Sequence, residues 1–138
     1  MKIVKLSESL GVSAQISPAD VAAIADAGYD VIVNNRPDGE EVGQPTSEAF
    51  AAAASEAGLD YFHLPVTAQD FPGADFSRMS ELLADEGQRV LAFCRSGTRC
   101  TNLWVVSREP AQREDALEVA RQNGFELVMA TRHLEAAQ

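Results

Sequence analysis

Apolar residues along this chain occur in two kinds of segment, which alternate. Short continuous apolar runs are typical of strands that are buried on both faces of a parallel sheet, and longer segments with an apolar residue every three or four positions are typical of amphipathic helices. Strands are predicted at residues 3–6, 10–15, 29–33, 60–66 and 90–93. The alternation predicts an α/β fold with a mainly parallel sheet of four to five strands flanked by helices.

Capping residues and glycines mark the expected ends of the helices. Ser17 before Pro18 is a typical helix start, and Gly28 is a typical stop for the same helix. In the helix after the last strand, Thr98 or Thr101 is expected to act as the N-cap. Further helices are predicted at residues 47–57, 75–84, 112–122 and 127–136.

A cysteine stands at the end of the last predicted strand, and a short polar loop, C-R-S-G-T-R, runs from Cys94 to Arg99. A helix N-terminus and neighbouring arginines lower a thiol pKa from about 8.5 to roughly 3.5–7.5, which makes the nucleophilic thiolate available. Successive backbone N–H groups and a planar guanidinium bind anions. We therefore predict Cys94 as the nucleophile and Arg99 as the catalytic anion-binding residue. Substrate contacts are predicted for the residues between them: Arg95, Ser96, Gly97 and Thr98.

Both cysteines can also be interpreted as structural residues, because free cysteines are commonly buried as small apolar side chains. At Cys94 we favour the catalytic interpretation, since a thiol beside two arginines and a glycine at a strand–helix junction is typical of a functional site. Cys100 lies about one helical turn away. It is either a resolving thiol for an oxidised or persulfidated Cys94, or a packing residue at the helix start.

The spacing inside the loop bears on its substrate. Four residues separate Cys94 from Arg99, and the cysteine phosphatases, whose loop this one resembles, have one residue more. The shorter C-x4-R loop looks more like the active loop of rhodanese-type sulfurtransferases. A smaller ring of N–H groups suits a single persulfide sulfur better than a tetrahedral phosphoryl group.

Three polar segments are expected to meet at one edge of the sheet, because ligands in such folds bind beyond the carboxyl ends of the parallel strands. The segments are residues 34–41, 66–75 and 94–99. Arg36 and Asp70 therefore become candidates for lining the Cys94 pocket.

The composition narrows the range of functions. The chain has 138 residues and is predicted to be a single domain over 1–138, and its net charge of −10 argues against nucleic acid or an anionic membrane as partner. A small anionic substrate fits the two arginines of the loop. Two cysteines within seven residues, with neither a secretory nor a membrane-spanning segment, favour a cytoplasmic location. The two histidines are well separated, so that we expect no metal and no other cofactor.

Four segments of the chain carry a resemblance to a known family. In chain order they are Q-I-S-P from Gln15, V-I-V-N-N-R-P-D-G-E from Val31, H-L-P-V from His63, and the Cys94 loop. Together they resemble the phosphatase-like domain family of the beta-lactamase-hydrolase-like proteins. The resemblance implies a fold like that of the dual-specificity cysteine phosphatases, with Cys94 as nucleophile and Arg99 as the anion-binding arginine. It also implies a general-acid aspartate after the strand that ends in proline; this loop offers Asp70 and Asp75, and Asp70 is the candidate.

The resemblance leaves more than one function open. Family members occur alone or fused to a metallo-beta-lactamase-type domain that acts in sulfide and persulfide metabolism, which makes a persulfide dioxygenase of that type a candidate partner. Our leading hypothesis is a thiol-based sulfurtransferase that works through a Cys94 persulfide. The alternative is a phosphatase with a phosphocysteine intermediate and Asp70 as the acid, because a leaving alkoxide needs a proton. A third hypothesis is a redox- or anion-sensing module built on Cys94 and Cys100.

Overall fold

Five strands form one sheet in the computed structural model, which describes residues 1–137. The spatial order is β1-β2-β5-β3-β4; β1 pairs antiparallel with β2, and the other neighbouring strands are parallel. The strands are β1 (Val4–Ser7), β2 (Leu10–Ser13), β3 (Val31–Asn34), β4 (Asp60–His63) and β5 (Val90–Phe93).

The central strand β5 explains the continuous apolar run that ends at Cys94. All four of its residues are buried, and β2 and β3 flank it. Val90 and Ala92 face one core layer, whereas Leu91 and Phe93 face the layer on the other side of the sheet. A strand that is covered on both faces cannot carry polar side chains at alternate positions.

Helices cover both faces of this sheet. A 3-10 turn (Pro18–Asp20) leads into α1 (Val21–Asp26), which packs with α2 (Ser47–Ala57) on the face that contains Phe93. The opposite face carries α3 (Phe76–Ala84), α4 (Thr98–Ser107), α5 (Pro110–Gln122) and α6 (Val128–Ala136). The predicted α/β architecture with a mainly parallel sheet is therefore confirmed.

The structure corrects several predicted boundaries. The N-cap of α4 is Gly97, with φ of 87°, rather than Thr98 or Thr101. The Thr101 hydroxyl instead donates to the carbonyl of Gly97 at 2.9 Å. Only a glycine adopts this left-handed conformation without strain, so that the loop geometry and not a side-chain cap sets the start of the helix.

Prolines bear on two further boundaries. The strand β4 stops at His63 instead of residue 66, and Pro65 supplies no N–H to extend the ladder. The helix α5 begins at Pro110 rather than Gln112, because proline is well suited to the first helical position.

No helix within residues 1–137 combines the length and the apolar character that crossing a lipid bilayer requires.

Candidate active site

Cys94 lies directly after β5, at the carboxyl edge of the sheet, and its side chain is fully buried. The backbone N–H of Gly97 donates to Sγ of Cys94 at 3.1 Å. Gly97 has a positive φ of 87°, which a residue with a Cβ would adopt only under strain. The loop therefore folds around the thiol, as the sequence predicted.

The environment of Cys94 stabilises the thiolate. A hydrogen bond from the Cys100 thiol, the backbone N–H groups of Cys100 and Ser96 and the charge of Arg99 together lower the pKa of Cys94 to about 5, although burial opposes the shift. At neutral pH the sulfur is therefore ionised and nucleophilic. Burial raises the pKa of Cys100 well above that of an ordinary thiol, so that Cys100 keeps its proton and donates it in this hydrogen bond.

Arg99 projects from the first turn of α4 and is held by two other loops. Its Nη1 donates to Oε2 of Glu40 at 2.8 Å, and its Nη2 donates to Oε1 of the same carboxylate at 2.8 Å. Nη1 also donates to the carbonyl of Val66 at 2.9 Å. These contacts fix the guanidinium where its charge acts on Cys94, and its predicted role in anion binding stays a prediction.

Glu40 is a site residue that the sequence did not single out. Its carboxylate bonds Arg99 on one side and accepts from Nε of Arg36 at 2.9 Å on the other. Arg99 and then Arg36 hold the pKa of Glu40 down, to about 2. The run of polar residues from Asn34 to Glu41 was a signal for a functional loop, but it did not indicate which carboxylate would face the arginine.

The other two predicted arginines do not share a pocket with Arg99. Arg36 is almost completely buried, and it donates to Glu41 at 2.7 Å and to Gln15 at 2.9 Å. Arg95 is exposed, and its Nε lies 3.7 Å from the carboxylate of Glu41. Arg36 and Arg95 line a neighbouring cavity of about 360 Å³. Their predicted contact with substrate stays a prediction.

A pocket of about 430 Å³ opens beside Arg99. The loop after β5 contributes two predicted residues, Ser96 and Thr98, whose hydroxyl groups are hydrogen-bonded at 2.9 Å. The pocket also contains residues that sequence reasoning missed, because they come from distant loops. Its full lining consists of Glu40, Thr67, Ala68, Gln69, Ser96, Thr98, Arg99, Glu126 and Met129.

The wall that carries Glu126 and Met129 is attached to α4 by one buried side chain. Nδ2 of Asn102 donates to the carbonyl of Glu126 at 3.0 Å, and Oδ1 of Asn102 accepts from the N–H of Ala130 at 2.9 Å. The same Nδ2 donates to the carbonyl of Thr98 at 2.9 Å. Asn102 thus ties the C-terminal segment to the cysteine loop.

Asp70 is not brought into this pocket. Its Oδ1 accepts from the N–H of Thr67 at 2.6 Å and from the Thr67 hydroxyl at 2.9 Å. The backbone and then the side chain of Thr67 lower the pKa of the Asp70 carboxyl. The side chain therefore closes its own loop, whereas Thr67 and Gln69 from that loop line the pocket. A catalytic role for Asp70 stays a prediction.

A protein family described as "Beta-lactamase hydrolase-like protein, phosphatase-like domain" matches residues 2–111, which is more than half of the chain. The chain belongs to this family. Curated relatives of the phosphatase-like domain family in Agrobacterium fabrum and Xylella fastidiosa, each named beta-lactamase hydrolase-like protein, are 36% identical to it over 138 residues. The match covers 98% of this chain and 32% of each relative, so that the chain spans about a third of their length.

Solved structures agree with this assignment. A putative phosphatase from Neisseria meningitidis is 35% identical, with a TM-score of 0.78, and the match covers 100% of this chain and 99% of that one. A kinase associated phosphatase, solved with serine in place of its catalytic-site cysteine, is 16% identical, with a TM-score of 0.67 over 93% of this chain and 86% of that one. The predicted family and the cysteine-phosphatase architecture of the fold are thus confirmed, and membership of a phosphatase-like family supports a cysteine-dependent enzyme. None of these relatives is named for sulfur transfer.

Proposed function

We propose that this member of the phosphatase-like domain family is a cysteine-dependent sulfurtransferase, which takes the outer sulfur from a small sulfane sulfur donor through a Cys94 persulfide. One observation carries the proposal: the carboxylate expected to act as general acid, Asp70, bonds to Thr67 outside the pocket. Glu40 and Glu126 do line the pocket, and Glu40, which bonds Arg99, has a pKa of about 2. A group that is ionised at neutral pH has no proton to give.

The two candidate reactions differ in whether their leaving group needs a proton. Hydrolysis of an alkyl phosphoester expels an alkoxide, which is a poor leaving group unless an acid protonates it. Sulfur transfer expels sulfite or a thiolate, and both are far less basic than an alkoxide and leave without protonation by an acid. A site that offers a thiolate and N–H donors, with the expected acid Asp70 bonded outside the pocket, is therefore better suited to sulfur transfer.

The proposed reaction needs only the groups beside Cys94. The Cys94 thiolate attacks the outer sulfur of a donor R–S–SH; a bond forms between the two sulfurs, the donor S–S bond breaks, and RS⁻ leaves with the electron pair. The product is Cys94–S–SH. An acceptor thiolate then attacks the outer sulfur, takes it as a new persulfide and regenerates the Cys94 thiolate. N–H groups such as that of Gly97, which lies 3.1 Å from the sulfur, would stabilise the negative charge at each stage.

Phosphoester hydrolysis through a phosphocysteine is the second candidate, and the comparisons favour it. The N. meningitidis protein, which matches this chain over its whole length, is named a putative phosphatase. In this case Glu126 is the acid to test besides Asp70, because it lines the pocket. One of its carboxylate oxygens accepts the N–H of Val128 at 3.1 Å, and the other oxygen is available to substrate.

A direct comparison of the two reactions tests the proposal. The protein is incubated with thiosulfate, with an organic persulfide and with an aryl phosphate, and intact mass and product release are measured. We expect a mass increase of one sulfur atom with a sulfur donor, absent from Cys94→Ser, and turnover to an acceptor thiol or cyanide.

Release of phosphate by the native protein, abolished in Cys94→Ser and slowed in Glu126→Gln or Asp70→Asn, together with no sulfur adduct, would replace the proposal by the phosphatase. An aryl phosphate alone does not require an acid, so an alkyl phosphate is included as the more demanding substrate.

A further inference from the structure

Glu40 occupies the edge of Arg99 that an oxyanion would otherwise bind. Both terminal nitrogens of the guanidinium donate to this one carboxylate, each at 2.8 Å, in the two-pronged arrangement that arginine forms with carboxylate and phosphate alike. The second hydrogen of Nη1 is bound to the carbonyl of Val66. The strongest anion-binding surface of Arg99 is therefore already filled by a group of the protein itself.

A second arginine holds Glu40 in this position. Nε of Arg36 donates to Oε1 of Glu40 at 2.9 Å, and Arg36 is 2% exposed. Glu41 and Gln15 in turn fix the other two nitrogens of Arg36. A substrate anion could displace the Glu40 carboxylate only by breaking three charge-assisted hydrogen bonds, which are the strongest kind in proteins.

The charges around the pocket oppose a doubly charged ligand. Among residues 1–137, one cationic side chain lines the pocket, Arg99, together with two carboxylates, those of Glu40 and Glu126. The buried Cys94 thiolate does not line the pocket, but it adds a further negative charge that acts on Arg99. Arg95 is turned toward Glu41 and lines a different cavity, so that it does not offset these charges.

From this arrangement we infer that Glu40 is a specificity-determining residue, which disfavours dianions such as thiosulfate and phosphate monoesters and favours donors with at most one negative charge. For the sulfur donor, the inference rests on the proposed sulfurtransferase function and narrows it to organic persulfides. For the exclusion of dianions it rests on the Glu40–Arg99 geometry alone.

The test is a change of donor preference. In Glu40→Gln the carboxylate charge is removed at nearly constant shape, so that Arg99 regains an uncompensated charge. We expect kcat/KM for thiosulfate to rise by about tenfold or more, as removal of a repulsive charge at close range allows, and kcat/KM for an organic persulfide to change by less than about threefold. Glu41→Gln is the matched control, because Glu41 carries the same charge but bonds Arg36 and not Arg99. It should leave the ratio of the two donors unchanged.

A fall in kcat/KM for both donors by the same factor would overturn the inference, since Glu40 would then only position Arg99. Glu40→Ala serves as a second variant if Glu40→Gln does not fold, and the same ratio is measured.

Binding of inorganic phosphate separates this inference from the proposed function. Calorimetry on Cys94→Ser with and without Glu40→Gln requires no turnover, and we expect at least about tenfold tighter binding in the double variant. Tighter binding in a protein that transfers no sulfur would retain the role of Glu40 and reject the sulfurtransferase. Unchanged phosphate affinity would reject the role of Glu40, whatever the activity of the enzyme.

Discussion

Cys100 donates the hydrogen of its thiol to the sulfur of Cys94 from the first turn of α4, and both side chains are buried. This hydrogen bond is the largest cause of the lowered pKa of Cys94. The two cysteines therefore have different roles in the site: Cys94 supplies the thiolate, and the protonated Cys100 stabilises it.

Replacement of Cys100 by alanine should raise the pKa of Cys94 above its value of about 5. Because the thiolate is the reactive form, the pH midpoint of Cys94 alkylation by iodoacetamide should shift upward by about 1 unit or more on loss of this hydrogen bond. Cys100→Ser, which retains a donor, should restore most of the native midpoint. An identical midpoint in all three proteins would show that Cys100 does not stabilise the thiolate.

Mild oxidation should form a disulfide between Cys94 and Cys100. Peroxide converts the Cys94 thiolate to a sulfenic acid with release of hydroxide, and attack by the Cys100 sulfur then gives a disulfide and water. Intact mass should show the loss of two hydrogen atoms, and a thiol reductant should restore activity. In Cys100→Ala we expect irreversible sulfinic acid at Cys94 instead. Rapid over-oxidation of the native protein without a disulfide would argue against a resolving role and against the redox-sensing hypothesis.

Asp70→Asn should leave sulfur transfer within about twofold of the native rate, since the Asp70 carboxylate bonds Thr67 and does not line the pocket. Asparagine retains an oxygen acceptor for Thr67, so only the charge of the turn-closing bond is lost and the free energy of unfolding should fall only slightly. Steady-state kinetics and urea unfolding measure the two effects separately. A hundredfold fall in turnover with retained folding would show that Asp70 moves into the pocket during the reaction.

The Glu40 carboxylate should make stability depend on pH in the acidic range. Its pKa is lowered from 4.5 to about 2 in the folded protein, so that it stabilises the fold above pH 4.5, and this contribution is lost as the pH falls toward 2. Urea unfolding between pH 3 and pH 6 should therefore be flatter for Glu40→Gln than for the native protein. At neutral pH we expect the variant to lose on the order of 1–3 kcal/mol, as is typical for hydrogen bonds to charged groups.

Parallel pH profiles for the two proteins would contradict this prediction. Glu41→Gln again provides the comparison, since Glu41 is exposed and its removal should alter the profile less.

The part of the site that can be predicted from the sequence is the part formed by consecutive residues. Cys94, Arg99 and the N–H groups between them are consecutive, so that a strand, a glycine and a helix start were enough to place them together. Glu40 and Glu126 lie on loops from other parts of the chain, and no spacing rule indicates that their side chains converge on Arg99. Asp70 follows the expected strand, but the direction of its side chain depends on Thr67, a detail of local hydrogen bonding that a motif does not contain.

The fold was predictable for a related reason. Strands that are buried on both faces must be apolar throughout. The continuous apolar run of β5 therefore indicated a central position in the sheet. The N-cap of α4 was not predictable from the residues that usually cap helices. The backbone path around the Cys94 sulfur requires a positive φ at this position, which favours glycine over a residue with a capping side chain.

The hydrogen bonds of Asn102 have a consequence for where this domain ends. The family match covers residues 2–111, whereas the similarity to the curated relatives extends over 98% of the chain. Glu126 and Met129 form part of the pocket wall, and Asn102 fastens that wall to α4. A fragment cut at the family boundary would retain the cysteine loop and lose one side of its pocket, so a minimal functional version of the domain has to include α6.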